Sequence, residues 1–134
     1  MSTNDVNCAD CIANGLFNIY DNATISFGAT SIPSTTSTMI NFSNYVVGAN
    51  STIEFYGTQT LPQFPFSISQ YDGNVLINQV GTKLITTPLI IEGNLTISNN
   101  AVLQINNINA LQVLSNVINS ATLQNNGVIE IGTP

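Results

Sequence analysis

Cys8 and Cys11, in the run Asn7-Cys8-Ala9-Asp10-Cys11-Ile12, are the only cysteines of a 134-residue chain. A C-x-x-C pair can be half of a zinc site, but a closed tetrahedral site needs further ligands, and there is no His and no other Cys. It can be a dithiol redox centre, but such motifs sit at a strand-to-helix turn of a βαβ unit, a context this pattern does not show. A structural role remains. The pair forms a local disulfide that pins the N-terminal segment, or bridges to neighbouring chains, in an oxidising compartment.

The other chemically capable side chains are seven acids, Asp5, Asp10, Asp21, Glu54, Asp72, Glu92 and Glu130, against one cation, Lys83, for a net charge of −6. Without His there is no nucleophile–imidazole pair, and without Arg there is no bidentate clamp for phosphate or carboxylate. A lone Lys cannot displace the counterions of a nucleic acid, so that class of partner is excluded. The acids are scattered, and no two are set by a repeating pattern for acid–base work. The expectation is therefore no enzyme, no catalytic residue, no metal and no cofactor.

Four triplets match the N-glycosylation acceptor: Asn22-Ala23-Thr24, Asn41-Phe42-Ser43, Asn50-Ser51-Thr52 and Asn94-Leu95-Thr96. In a chain this rich in Asn, Ser and Thr, chance supplies several such triplets, so their placement carries more than their number. Asn22, Asn50 and Asn94 open three aligned repeat blocks, on the face expected to point outward, where a glycan leaves the core undisturbed. N-linked glycans are the one attached group expected.

Those blocks are the elements that must position everything else. Five segments align, 22–32, 50–61, 74–85, 94–105 and 120–131, with starts separated by 28, 24, 20 and 26 residues. An aliphatic recurs three residues into each block (Ile25, Ile53, Ile77, Ile97, Leu123), a small residue at the seventh column (Ala29, Gly57, Gly81, Ala101, Gly127), and an aliphatic again near the block end (Ile32, Leu61, Ile85, Ile105, Ile131). Within a block the pattern has period two: Asn94 and Thr96 share one side, Leu95 and Ile97 the other, as a strand with one buried face requires. The small column is expected to allow a tight bend through positive φ, with a second strand after it. The stretches 40–47, 64–68 and 89–91 read as a third strand per coil. Residues 108–118 have Ile108, Leu111, Leu114 and Val117 at three-to-four spacing, which predicts a short helix, the other reading being one more strand.

Only 6% of the residues are charged, against about 25% in ordinary globular chains. Stacked coils bring one column into register at roughly 4.8 Å, where like charges repel and Asn, Ser and Thr form ladders instead. No apolar run reaches the roughly 18 residues that span a bilayer. Met1-Ser2-Thr3-Asn4-Asp5 lacks the basic start and apolar core of a signal peptide, yet the composition points outside the cell. The chain is accordingly read as a mature or partial segment of a longer product. It divides into an N-terminal arm or cap, 1–21, carrying the C-x-x-C, and a single β-repeat domain, 22–134.

Over residues 22–131 the blocks resemble the right-handed parallel β-helix repeats of secreted adhesins and cell-surface proteins. The resemblance implies an all-β fold, a parallel β-helix (β-solenoid) of about five irregular coils. In it Ile25, Ile53, Ile77, Ile97 and Leu123 would form one interior ladder, and Asn99 would stack with Asn125 at a turn. Coil length varies more than in the regular members, which keeps a β-sandwich or jelly-roll completed by a donor strand as the rival. Pectate lyases and polygalacturonases share the β-helix but act with clustered aspartates and a basic partner, which the scattered acids here do not reproduce.

The function implied is structural: a subunit of an extracellular, N-glycosylated, self-assembling filament or surface fibre, whose partners are copies of itself. Copies would join by stacking terminal coils head to tail, or by lending a terminal strand, with 12–20 and 127–131 as candidates. Cys8 and Cys11 would tie down the arm or link subunits. The alternative is a segment of a cell-surface adhesin, or a carbohydrate- or ice-binding module. Ice binding needs a flat Thr array, for which Thr24, Thr52, Thr96 and Thr122 are the candidates, interrupted by Leu76.

Overall fold

Short runs in which an aliphatic alternates with Asn, Thr, Ser or Gln can bury only one side, and Gly, Asn and Pro punctuate them every few residues. Such segments form strands of two to five residues that turn a corner and continue. A computed structural model describes residues 16–28, 44–61, 70–106 and 110–132, and every regular element among them is a β-strand.

The strands build three faces of a solenoid. The first face stacks β2 (Thr24–Phe27), β4 (Thr52–Phe55), β7 (Asn74–Ile77), β10 (Leu95–Ile97) and β13 (Val117–Asn119). The second stacks β5 (Gln59–Leu61), β8 (Gly81–Ile85), β11 (Ala101–Ile105) and β14 (Thr122–Asn125). The third stacks β6 (Gln70–Tyr71), β9 (Leu89–Ile91), β12 (Ala110–Val113) and β15 (Val128–Ile131). A separate pair joins β1 (Leu16–Ile19) to β3 (Asn44–Val47). Every pairing is parallel. A sandwich or jelly-roll needs antiparallel neighbours, so the β-solenoid is the fold and that rival falls.

Three particulars of the sequence reading are corrected by the register. The regular stack is about three turns, β7 to β9, β10 to β12 and β13 to β15, rather than five. The fifth block, opening at Ser120, is not a coil of its own. Its Leu123 lies opposite Leu103 on the second face, while the strand that continues the first face starts at Val117, opposite Leu95. Of the two readings of 108–118 the strand one holds over the described part, 110–118: β12 and the start of β13 occupy it, and the apparent helical spacing comes from two strands on either side of the corner at Leu114-Ser115-Asn116.

The single ladder likewise splits in two. Ile25 stacks on Ile53, but Ile53 meets Val75, then Leu95 and Val117. Ile77 and Ile97 belong to the neighbouring column, Phe27, Phe55, Ile77, Ile97 and Asn119. The step from Ile53 to Val75 is 22 residues, whereas aligning Asn50 with Asn74 implies 24, a slip of two that preserves the buried side and so escapes the alternation. The interior is apolar packing, with Ile53, Phe55, Ile97, Leu103, Ile105, Leu111 and Val113 fully enclosed. Phe27 and Phe55 stack with centroids 6.0 Å apart.

The small column does a different job from the one its composition suggests. Left-handed backbone is carried mainly by the residues before it, Gln79 (φ 59°), Asn99 (φ 51°) and Asn100 (φ 60°), alongside Gly81 (φ 126°). Smallness serves close approach between coils: a Cβ on Gly57 would lie 2.2 Å from the carbonyl oxygen of Gly28 on the coil below.

Candidate functional site

No group of three or more His, Cys, Asp or Glu side chains is assembled among the described residues. Glu54 points outward on the first face, Glu92 sits at a corner and Glu130 is exposed on the third face. The Glu54 carboxylate accepts from Ser26 Oγ at 2.6 Å and from Asn78 Nδ2, and Gln70 Nε2 donates to both Asp72 and Glu92. Glu54 and Glu92 serve as hydrogen-bond acceptors that tie one coil to the next.

Asn22, Asn50 and Asn94 fall where the chain turns into the first face, and their environments differ. Asn22 and Asn50 are exposed. Asn22 is left-handed, with φ 64°, and its backbone N–H donates to the Asn50 carbonyl at 3.3 Å. Asn94 is half-buried, and its Oδ1 accepts from Ser115 Oγ at 2.9 Å and from the backbone N–H and Nδ2 of Asn116, each at 3.2 Å. Its own N–H donates to Asn74 Oδ1 at 2.9 Å. Asn74, Asn94 and Asn116 thus form a corner ladder in which the side-chain oxygens of Asn74 and Asn94 each accept from the next coil. Asn41, Cys8 and Cys11 lie outside the described residues. Asn94→Ala removes an acceptor shared by three donors and is expected to cost about 1–2 kcal/mol, read as a lower urea midpoint at unchanged slope.

A second ladder runs along the corner between the first and second faces. Asn78 Oδ1 accepts from Asn99 Nδ2 at 2.7 Å and from the Gln79 N–H at 2.9 Å. Asn99 therefore stacks on Asn78. The expected partner, Asn125, is on the second face opposite Ile105. The Thr candidates for an ice-binding array are also dispersed: Thr24 stacks on Thr52, Thr96 lies between Leu76 and Ile118, and Thr122 is on another face opposite Val102.

No sequence motif marks the burial of three polar side chains, Lys83, Ser51 and Tyr71. Lys83 is fully enclosed on the second face, in register with Leu103, and its Nζ donates to the carbonyl oxygens of Asn78 (2.7 Å), Gln79 (2.9 Å) and Gly81 (3.2 Å). Burial pushes its pKa down. Ser51 is also fully enclosed, and its hydroxyl donates to the Gly48 carbonyl at 2.7 Å. With that proton committed, the Tyr71 hydroxyl, 3.3 Å from Ser51 Oγ, is the donor of the pair. The signal for Lys83 was available: it shares strand parity with Ile85, so the side that buries one buries the other.

The last coil differs from those beneath it. Leu95, Leu103 and Leu111 are at most 1% exposed, whereas Val117, Leu123 and Ile129, directly above them in register, are only half-buried. Ile118, Val128 and Ile131 are exposed, Ile131 to 62%. No described strand pairs with the outer edges of β13, β14 and β15. Among the described residues the last coil thus presents three unpaired parallel edges around a half-covered apolar interior. β1 is paired with β3, so while so paired its residues 16–19 are not free to complete a neighbour's sheet. Among the described residues no helix is long and apolar enough to cross a membrane. Comparison with known proteins gave no matching family model, no matching curated protein and no matching solved structure.

Proposed function

We propose that the chain is a structural subunit of an extracellular, N-glycosylated filament or surface fibre, in which copies of the solenoid stack end on end. The observation that supports this reading is the last described coil, where three parallel edges, unpaired among the described residues, surround a half-covered apolar centre. A contact between that end and the first-face edge at β2 is heterologous and does not close, so repetition generates a filament. The neutral Asn ladders at the corners favour such stacking, and where Asp72 and Glu92 do fall in register the Gln70 amide donates to both. Exposed Asn22 and Asn50 are the positions where a glycan would be carried outward, while Asn94 serves the corner ladder.

Ile131→Lys tests the contact, since the side chain is already exposed and the change leaves folding intact. Sedimentation and electron microscopy of the glycosylated protein are expected to show filaments with density at Asn22 and Asn50, and the variant is expected to remain monomeric. Monomers of the unmodified protein at every concentration, salt and pH would overturn the reading and favour an adhesin segment.

A further inference from the structure

Lys83 is the only Lys in the sequence and there is no Arg, so the chain has one side-chain amine and one peptide bond, Lys83–Leu84, that a protease specific for basic residues can cut. Both lie in β8, which is flanked on one side by β5 and on the other by β11. The side chain has no exposed surface, and its three ammonium protons meet three carbonyl oxygens at the corner of residues 78–81. A protease must draw several residues into an extended, unpaired form, which here means stripping a central strand from both neighbours. An acylating reagent must reach a neutral amine with a free lone pair, and this nitrogen sits inside the coil.

We propose that the fold seals its only side-chain amine and only trypsin-type cleavage bond inside the solenoid, so that basic-residue proteases and lysine-directed cross-linking act on it only after the stack opens. For a protein outside the cell this removes the commonest proteolytic entry point without any inhibitor or covering domain. It also limits side-chain links between copies. Amide cross-links through the lysine side chain are closed off while the coil is intact. The inference rests on Lys83 alone and stands whether or not copies assemble.

The test is competition for N-hydroxysuccinimidyl acetate, in which an amine attacks the acyl carbon, the ester bond breaks, N-hydroxysuccinimide leaves and a proton passes to solvent. Nα-acetyl-lysine amide in the same tube sets the rate of a free side chain. Val80→Lys sets the rate of an amine at the same corner on a position that is 76% exposed. The expected result is acetylation of Lys83 about 10³-fold or more below both references, rising with urea in step with global unfolding. Trypsin is expected to leave the unmodified chain intact over the same urea range and to cut it once unfolded. Acetylation of Lys83 at the reference rate, a slow rate independent of urea, or cleavage at Lys83–Leu84 in the folded protein would each overturn the proposal.

Discussion

Lys83→Met is expected to destabilise the folded domain by about 3 kcal/mol, measured as a fall in the urea unfolding midpoint with the slope unchanged. Methionine matches the length and most of the volume of the lysine stem, so the packing against Leu103 is kept and no large cavity opens. What is lost is the donor for three carbonyl oxygens that converge on Nζ from Asn78, Gln79 and Gly81. Hydrogen bonds to a charged group contribute about 1.5–3 kcal/mol each, while removing a buried charge returns several kcal/mol of desolvation. The loss exceeds the return because the corner is held in a left-handed conformation at Gln79 and Gly81, which aims the carbonyls inward whether or not the ammonium is present. A change below about 0.5 kcal/mol would show that water reaches these oxygens and that the clamp is not what shapes the corner.

The solenoid was legible in the sequence because period-two alternation, corner residues and block repetition all point the same way. Leu95 and Ile97 are buried and Asn94 and Thr96 half-buried, as their alternation requires. Register was not legible. Sliding Asn74 by two residues leaves every apolar side chain on the buried side, so nothing in the pattern distinguishes Ile77 from Val75 as the partner of Ile53. The same degeneracy let the block at 120–131 pass for a fifth coil, since one strand–corner–strand unit resembles the next even when it begins a third of a turn later. The helical spacing at 108–118 misled for a related reason, as two short strands flanking a corner place aliphatics three and four apart. Side-chain chemistry was harder still. A lysine reads as solvent-facing by type, and only its parity with Ile85 marks it as interior.

The scarcity of charge acquires a structural meaning in these ladders. Along the first face the outward column Ser26, Glu54, Leu76, Thr96, Ile118 contains one acid, and its carboxylate is used by Ser26 and Asn78. At the other corner neutral Asn74, Asn94 and Asn116 repeat from coil to coil with donor facing acceptor. An amide carries both functions and can stack on a copy of itself indefinitely, which a carboxylate or ammonium cannot. That property serves a stack that continues beyond one chain as well as it serves the coils within one.

Alkaline unfolding is expected to be controlled by Tyr71. Burial in the core, with a smaller contribution from the nearby Asp72 carboxylate and against the hydrogen bond shared with Ser51, pushes its pKa from 10.0 up to about 12. The unfolded chain therefore releases this proton first. Stability contributed by neutral Tyr71 is fully present below pH 10, declines as the unfolded phenol ionises, and is lost by about pH 12. A two-unit difference corresponds to about 3 kcal/mol. Lys83 acts with the opposite sign: its folded pKa lies below the ordinary 10.5, so stability rises with pH on the approach to that value. The urea midpoint is thus expected to climb gently toward pH 10 and then fall steeply. Tyr71→Phe is expected to cost about 1 kcal/mol near neutrality, by loss of the bond to Ser51 Oγ, and to abolish the steep fall. An equally steep fall in Tyr71→Phe would assign the alkaline transition to another group and remove Tyr71 from control of it.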